Sequence, residues 1–162
     1  MLNFSINTYL KIIFFISLIS ILSALFIEHV LGHQPCNLCL MQRIPYGLSI
    51  ILIFLNYFLK KDQKFVVMLL ALIFSFSFFI SFYHFGIEQG FFEESTVCEL
   101  NDTTKIISKE EILKQLQTKT VNCKDVTFRI FGFSLTTFNM FISLILVFLL
   151  VKIFRNYEKF KK

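Results

Sequence analysis

Four cysteines are the residues of this sequence whose type and spacing most directly imply chemistry. Two of them form the motif Cys36-Asn37-Leu38-Cys39, and the other two, Cys98 and Cys123, lie far along the chain. Thiolates exchange disulfides, and four cysteines permit three pairings. The short spacing favours Cys36 with Cys39, which leaves Cys98 with Cys123. The pattern predicts either a redox relay or two structural disulfides.

The first pair has surroundings that favour a thiolate. Pro35 precedes Cys36, and proline is favoured at the start of a helix. The positive end of the helix dipole would then lie beside both sulfurs and lower their pKa values. Arg43 lies four residues after Cys39, on the same helical face, and would favour the Cys39 thiolate further. The alternative is an arginine that extends to lipid headgroups.

A metal site is the competing interpretation of this region. His29, His33, Cys36 and Cys39 have ligand-like spacing, with the two histidines on one expected helix face. A membrane metal-binding or transport protein therefore remains the alternative function. We favour redox chemistry because exposed thiols outside the cytosol tend to oxidise, and we predict no resident metal.

The second pair lies in a long polar segment. Between Cys98 and Cys123, Ser108 and Glu111 form a capping-box pattern that predicts a short amphipathic helix. A structural disulfide here would contribute roughly 2–4 kcal/mol. The neighbouring Cys-x-x-Cys motif makes a redox role the better interpretation.

His84 and Glu88 are one helical turn apart at the end of an apolar run. A histidine there could exchange protons with a reduced electron acceptor. An interfacial histidine without a chemical role is an equal alternative.

Long apolar runs must position all of these residues. Apolar residues make up 56% of the 162, and phenylalanine alone accounts for 23, which is more than a soluble domain readily buries. Runs of about 20 apolar residues predict membrane-spanning helices. The first run could also be a signal peptide, but no small-residue cleavage site follows it. We therefore predict an all-α membrane protein, a four-transmembrane-helix bundle forming a single domain over 1–162, with spans at about 10–30, 38–59, 65–85 and 130–151 and a long loop at 86–129.

The charges predict the orientation of this bundle. The short loop at 60–64 and the tail after residue 152 are rich in lysine and arginine, whereas eight acidic residues lie in the loop 86–129. Short basic flanks mark the cytoplasmic side of a membrane. Both chain ends are therefore expected in the cytoplasm and all four cysteines on the opposite side, where disulfides persist. The net charge of +5 then reflects topology rather than nucleic-acid binding.

These features together resemble the bacterial disulfide bond formation protein B (DsbB) family. The resemblance rests on the four spans, on Cys36-x-x-Cys39 followed by Arg43, and on Cys98 and Cys123 in the second outer loop. Two weaker matches are Tyr83-His84-x-Gly86-x-Glu88-Gln89 and Phe131-Gly132-Phe133-Ser134-Leu135. The family often continues from the second of these with proline and tryptophan, whereas this chain has Thr136-Thr137-Phe138 and no tryptophan.

The resemblance implies a quinone-dependent protein thiol:disulfide oxidoreductase of the bacterial inner membrane, with its cysteines in the periplasm. It would reoxidise a periplasmic DsbA-like thioredoxin-fold partner and pass the electrons to ubiquinone or menaquinone. The partner would attack Cys98 of the Cys98–Cys123 disulfide, and Cys123, carried by a moving loop, would then exchange with Cys36. The freed Cys39 would meet the quinone, with Arg43 and His84 beside it. Sequence does not set reduction potentials, so the reverse direction of electron flow stays open.

Overall fold

The computed structural model describes residues 5–59, 62–93, 123, 129–130 and 133–157. Its helices are α1 (Ile6–His29), α2 (Asn37–Leu59), α3 (Gln63–Glu88) and α4 (Leu135–Arg155). All four are long and apolar enough to cross a membrane. The predicted four-helix membrane bundle is thereby confirmed. The predicted amphipathic helix after Ser108 lies outside the described residues.

The end of α3 is fixed by a glycine and a close aromatic contact. Gly90 has a φ of 76°, a left-handed conformation that ends helices and favours glycine. The backbone N–H groups of Gly90 and Phe91 donate to the carbonyls of Ile87 (3.0 Å) and Gly86 (2.8 Å). The chain then folds back so that the Phe92 ring lies against Gly86, where an added Cβ would stand 2.1 Å from a ring carbon. This turn holds the end of α3, and with it Glu88, in one position.

The start of α4 differs from the prediction. The apolar run begins at Ile130, but Arg129–Ile130 (β1) pairs antiparallel with Phe133–Ser134 (β2). The helix begins only at Leu135, where the Ser134 hydroxyl accepts a hydrogen bond from the backbone N–H of Thr137 at 3.3 Å. Apolarity marks the whole segment as membrane-compatible, whereas the cap decides where helical hydrogen bonding starts.

The helices pack in chain order, with α1 on α2, α2 on α3, and α3 most extensively on α4. A buried apolar cluster joins all four of them and includes Leu10, Tyr46, Leu70, Phe74 and Leu150. Large apolar side chains also cover the outside of the bundle, among them Phe15, Ile51, Phe79 and Phe148. Such an apolar exterior suits hydrocarbon rather than water.

Hydroxyl and amide groups connect the helices inside this apolar bundle. Ser49 of α2 donates to Ser17 of α1 (2.8 Å), and the Ser77 hydroxyl of α3 lies 3.0 Å from that of Ser143 of α4. Asn139 of α4 donates to the Ser81 hydroxyl of α3 at 2.7 Å. Polar groups buried in hydrocarbon need such partners. These contacts, here called the polar ladder, run along the bundle toward the cysteines.

Candidate functional site

Cys36 and Cys39 lie at the N-terminus of α2, as the sequence predicted. Cys36 is the residue before the helix, and its sulfur accepts a hydrogen bond from the backbone N–H of Cys39 at 3.3 Å. The two sulfurs are 3.0 Å apart and both are free thiols, since a disulfide bond would bring them to about 2.05 Å. The structure thus holds the reduced form of a pair that needs only a small movement to form a disulfide.

Cys36 has the surroundings of a stable thiolate. The hydrogen bond from Cys39 lowers the pKa of Cys36 most; burial opposes this, and the hydrogen bond and charge of His84 lower it further, so that the pKa falls from 9.0 to about 4. From the sequence, the helix N-terminus was expected beside both sulfurs, with Arg43 favouring the Cys39 thiolate further. In the structure the backbone N–H of Cys39 donates to the Cys36 sulfur, so the helix N-terminus acts on Cys36.

His84 brings α3 to the cysteine pair. Its ring is buried, with 2% of the residue exposed, and its Nε2 lies 3.6 Å from the Cys36 sulfur. Its Nδ1 lies 3.1 Å from Gln42 Nε2 and 3.2 Å from the Thr136 hydroxyl. The histidine therefore contacts a thiol on one side and residues of α2 and α4 on the other. Such burial speaks against the simple interfacial histidine considered from sequence.

Glu88 is held by the N-terminus of α4. Its two carboxylate oxygens accept hydrogen bonds from the hydroxyls of Thr136 (2.7 Å) and Ser134 (2.5 Å). Ser134 thus caps α4 and binds Glu88 at the same time. The two hydroxyls therefore fix the position of this carboxylate at the N-terminus of α4.

Gln42 and Asn139 complete this network, although sequence reasoning did not single them out. Asn139 Nδ2 donates to Gln42 Oε1 at 3.2 Å, while Asn139 Oδ1 accepts from the Tyr46 hydroxyl. This arrangement turns the amide nitrogen of Gln42 toward His84. Both residues are polar groups inside predicted membrane spans, and that was a signal available from the sequence.

Arg43 forms an ion pair with Glu28 at the end of α1. Both side chains are only partly buried, and the pair joins α1 to α2. In the part of the chain that the structure describes, the Arg43 guanidinium makes no hydrogen bond to the Cys39 sulfur. The two nevertheless line the same cavity.

Cys123 lies beside the first cysteine pair. It is buried in a small cluster with Cys36, Leu38 and Ile87, against which Cys39 packs. It is disulfide-bonded, to a partner outside the described residues. Cys98, the fourth predicted site residue, is also outside them. Three of the four predicted cysteines therefore meet at one end of the bundle.

A cavity of about 320 Å³ joins these groups. Its polar end is formed by the cysteines with Arg43 and His84, and its sides by apolar residues of α1 and α4 such as Ile19, Ile27, Phe138 and Ile142. Among the described helices, α1 and α4 are not a closely packed pair. The cavity therefore lies between two helices that face lipid, and its size suits a flat ring with a few polar contacts.

The donor atoms of Cys36, Cys39 and His84 lie within 4.8 Å of one another, close enough for a metal ion. The same closeness is what thiol exchange requires, and a Cys36–Cys39 disulfide would remove both sulfur donors. The predicted metal set differs from this group. The expectation that His29 and His33 share a helix face is wrong, because α1 ends at His29 and the ring of His29 hydrogen-bonds to the Leu25 carbonyl.

Comparison with known proteins agrees with this geometry. The family model described as disulfide bond formation protein DsbB matches residues 7–153. A SPbeta prophage-derived disulfide bond formation protein B of Bacillus subtilis (strain 168) is 35% identical over 106 residues, which cover 62% of this chain and 68% of that protein. An uncharacterized protein of Rickettsia prowazekii (strain Madrid E) is 25% identical over 134 residues, or 82% of this chain and 78% of that one. With four membrane-spanning helices and a Cys-x-x-Cys pair at the rim of its bundle, the chain belongs to the DsbB family of disulfide bond formation proteins.

Proposed function

We propose that this protein is a quinone-dependent oxidase of a periplasmic DsbA-like dithiol. The observation that supports this most is the meeting of Cys36, Cys39 and Cys123 in one cavity whose sides carry apolar residues of α1 and α4. Thiol exchange needs sulfurs at contact distance. A lipid-soluble electron acceptor needs an apolar entry route, and the same cavity offers both.

The electron path begins outside the membrane. The reduced partner attacks Cys98 of the Cys98–Cys123 disulfide and leaves with its own disulfide formed, so that two electrons and two protons enter this chain. The Cys123 thiolate then attacks Cys36 of the oxidised Cys36–Cys39 pair, and Cys39 leaves as a thiolate. Attack of Cys98 on Cys123 frees Cys36 and restores the outer disulfide. The packing of Cys123 against Cys36 supports this order of exchange.

The residues at the polar end of the cavity fit a quinone. Bound there, ubiquinone or menaquinone would accept two electrons and two protons. Cys39 lies deeper along α2 than Cys36, Arg43 offers a guanidinium for a quinone oxygen, and His84 offers a ring nitrogen. The apolar side chains of α1 and α4 would contact the ring and its chain. With Cys36 restored as a thiolate, the pair can close its disulfide again.

The proposed membrane is the bacterial inner membrane, with both chain ends in the cytoplasm. Lys152 and Arg155 in the last turn of α4 support this orientation, because basic residues next to a span mark the cytoplasmic side. Cysteine labelling of spheroplasts with an impermeant maleimide should then reach a cysteine substituted at Gly32 but not one substituted at Asp62. The opposite result would contradict the orientation, because the cysteines would then face the cytoplasm and could not react with a periplasmic partner.

Quinone reduction by the purified protein tests the proposal. The protein in lipid nanodiscs is mixed with a reduced thioredoxin-fold dithiol oxidase and a quinone, and the loss of quinone absorbance is followed. Wild type should turn over, whereas Cys39→Ser should reduce no quinone. His29→Asn is the matched control, because this exposed histidine lies outside the cavity, and its full activity would also count against the metal alternative. Quinone reduction that survives Cys39→Ser would refute the proposed electron exit.

A further inference from the structure

The Nδ1 atom of His84 has two hydrogen-bonding neighbours, one of which can only donate while the other can also accept. Gln42 presents its amide nitrogen, which can only donate, and Asn139 holds the amide in that orientation by donating to its oxygen. Thr136 presents a hydroxyl, which can also accept. Each neighbour suits one protonation state of Nδ1, because Thr136 accepts from a protonated Nδ1 and Gln42 donates to a bare one. The site therefore accommodates both tautomers of the ring.

Thr136 also connects His84 to Glu88. The Thr136 hydroxyl donates to Glu88 Oε1 at 2.7 Å and lies 3.2 Å from His84 Nδ1. The direct separation between His84 Nε2 and Glu88 Oε1 is 3.7 Å, which is too long for a hydrogen bond of this type. Thr136 is thus the link through which a proton can pass from the imidazole to the carboxylate.

We propose that Thr136 and Glu88 carry away the proton of Cys36, through His84, when the Cys36–Cys39 pair is reduced. Cys36 gives its S–H proton to Nε2 across 3.6 Å, Nδ1 gives its proton to the Thr136 oxygen, and Thr136 gives its hydroxyl proton to Glu88. One proton leaves Cys36 and one arrives at Glu88. The bare Nδ1 then accepts from Gln42, while Nε2–H donates to the Cys36 thiolate.

The proton transfer accompanies a two-electron reduction of the Cys36–Cys39 disulfide. A dithiol reductant delivers two electrons and two protons to the Cys36–Cys39 disulfide and is itself oxidised to a disulfide. One proton stays on Cys39, and the other ends on Glu88. If the proposed function holds, Glu88 keeps this second proton close to the cavity until a quinone is reduced there. The proton transfer itself requires only the reductant.

Glu88 lines the same cavity as the cysteines that change charge on reduction. The Ser134 and Thr136 hydroxyls of α4 donate to its two carboxylate oxygens and hold them beside the His84–Thr136 link. The titratable and charged groups that line the same cavity are His33, Cys36, Cys39, Arg43, Tyr46 and His84. Reduction forms a thiolate among these groups, and the hydrogen bonds from His84 through Thr136 lead from that sulfur to the Glu88 carboxylate.

Infrared difference spectroscopy tests the transfer directly. The purified protein in detergent is reduced with dithiothreitol, and the oxidised spectrum is subtracted. Wild type should gain the C=O band of a protonated carboxylic acid, and Glu88→Gln should lack it. Thr136→Val, which keeps the shape but removes the hydroxyl, should lose at least about four fifths of the band, and Thr136→Ser should retain it.

Further variants separate the relay from a structural role. Thr136→Ala is a second hydroxyl-free variant in case the valine protein does not fold, and it should also lose the band. Ser75→Ala removes a hydroxyl that donates to the Ala71 carbonyl of its own helix, away from this site, and should leave the band unchanged. The proposal is refuted if reduced wild type shows no such band, if the band survives Glu88→Gln, or if it keeps its intensity in folded Thr136→Val or Thr136→Ala. Because no quinone is present, these results are independent of the proposed oxidase activity.

Discussion

Replacement of Cys39 by alanine should raise the pKa of Cys36 by about one to two units. The hydrogen bond from the Cys39 thiol is the largest cause of the low pKa of Cys36, which is about 4 against an ordinary 9.0. A hydrogen bond to a charged group is worth roughly 1.5–3 kcal/mol, and one pKa unit corresponds to about 1.4 kcal/mol. His84 and the backbone N–H of residue 39 remain in the variant, so the pKa should stay below 9.0.

The assay is the ultraviolet absorbance of the thiolate as a function of pH. The titration is made in a background with both Cys98 and Cys123 replaced by serine, so that only the first pair absorbs. Wild-type Cys36 should be almost fully ionised at pH 6, since a thiol that titrates near 4 is about 99% thiolate there and one that titrates near 9 about 0.1%. Cys39→Ser keeps a hydroxyl donor and is the matched control, with an expected midpoint near that of wild type.

Stability should follow the same ionisation. The pKa of Cys36 is lower in the folded protein than in the unfolded chain, so its thiolate adds stability that is fully present above pH 9 and is lost as the pH falls through about 4. The reasoning is refuted if the first midpoint of the reduced pair lies within one unit of 9.0. It is refuted equally if Cys39→Ala leaves that midpoint unchanged.

Two further predictions concern the glycine contact at the end of α3 and the helix cap at the start of α4. Gly86→Ala should lower the unfolding free energy by about 1–3 kcal/mol, because the new methyl group would collide with the Phe92 ring. Gly47→Ala, where a Cβ meets nothing within 4 Å, should be neutral or slightly stabilising in the same thermal unfolding assay, and equal effects of the two changes would contradict the role of this contact. Ser134→Ala should cost about 0.5–2 kcal/mol through the lost helix cap and should also free Glu88 from one hydrogen bond. Thermal unfolding measures the first effect, and a stability unchanged within 0.3 kcal/mol would show that the cap is not required.

The fold could be predicted because a membrane-spanning helix is recognisable from the length and apolarity of its own segment. Each helix needs a long apolar stretch, and the sequence displays four of them. The start of α4 could not be placed in the same way. Ile130 and Phe133 are apolar and extend the run, yet they form the paired strands β1 and β2 before Ser134 caps the helix.

The site was predictable only in part, since its contacts join residues distant in sequence. The Cys-x-x-Cys spacing and the N-terminal position of Cys36 could be read locally. The proximity of Cys36 to His84, 48 residues later, depends on how α2 and α3 pack. The partner of Arg43 proved to be Glu28 on another helix, for the same reason. Thr136 lies where the chain departs from the family pattern, so the resemblance carried no signal for it.

The polar ladder has a consequence for how the redox geometry is maintained in a bilayer. Smooth apolar surfaces of two helices in lipid can slide past each other at little cost, because lipid chains are as apolar as the side chains they replace. Directed bonds such as those of Ser77 with Ser143 and of Asn139 with Ser81 penalise sliding, since a shift by one helical turn separates the partners by about 5.4 Å. The same shift of α3 would carry His84 away from Cys36. Hydroxyl groups deep in the hydrocarbon thus set the axial alignment on which sulfur chemistry at the membrane surface depends.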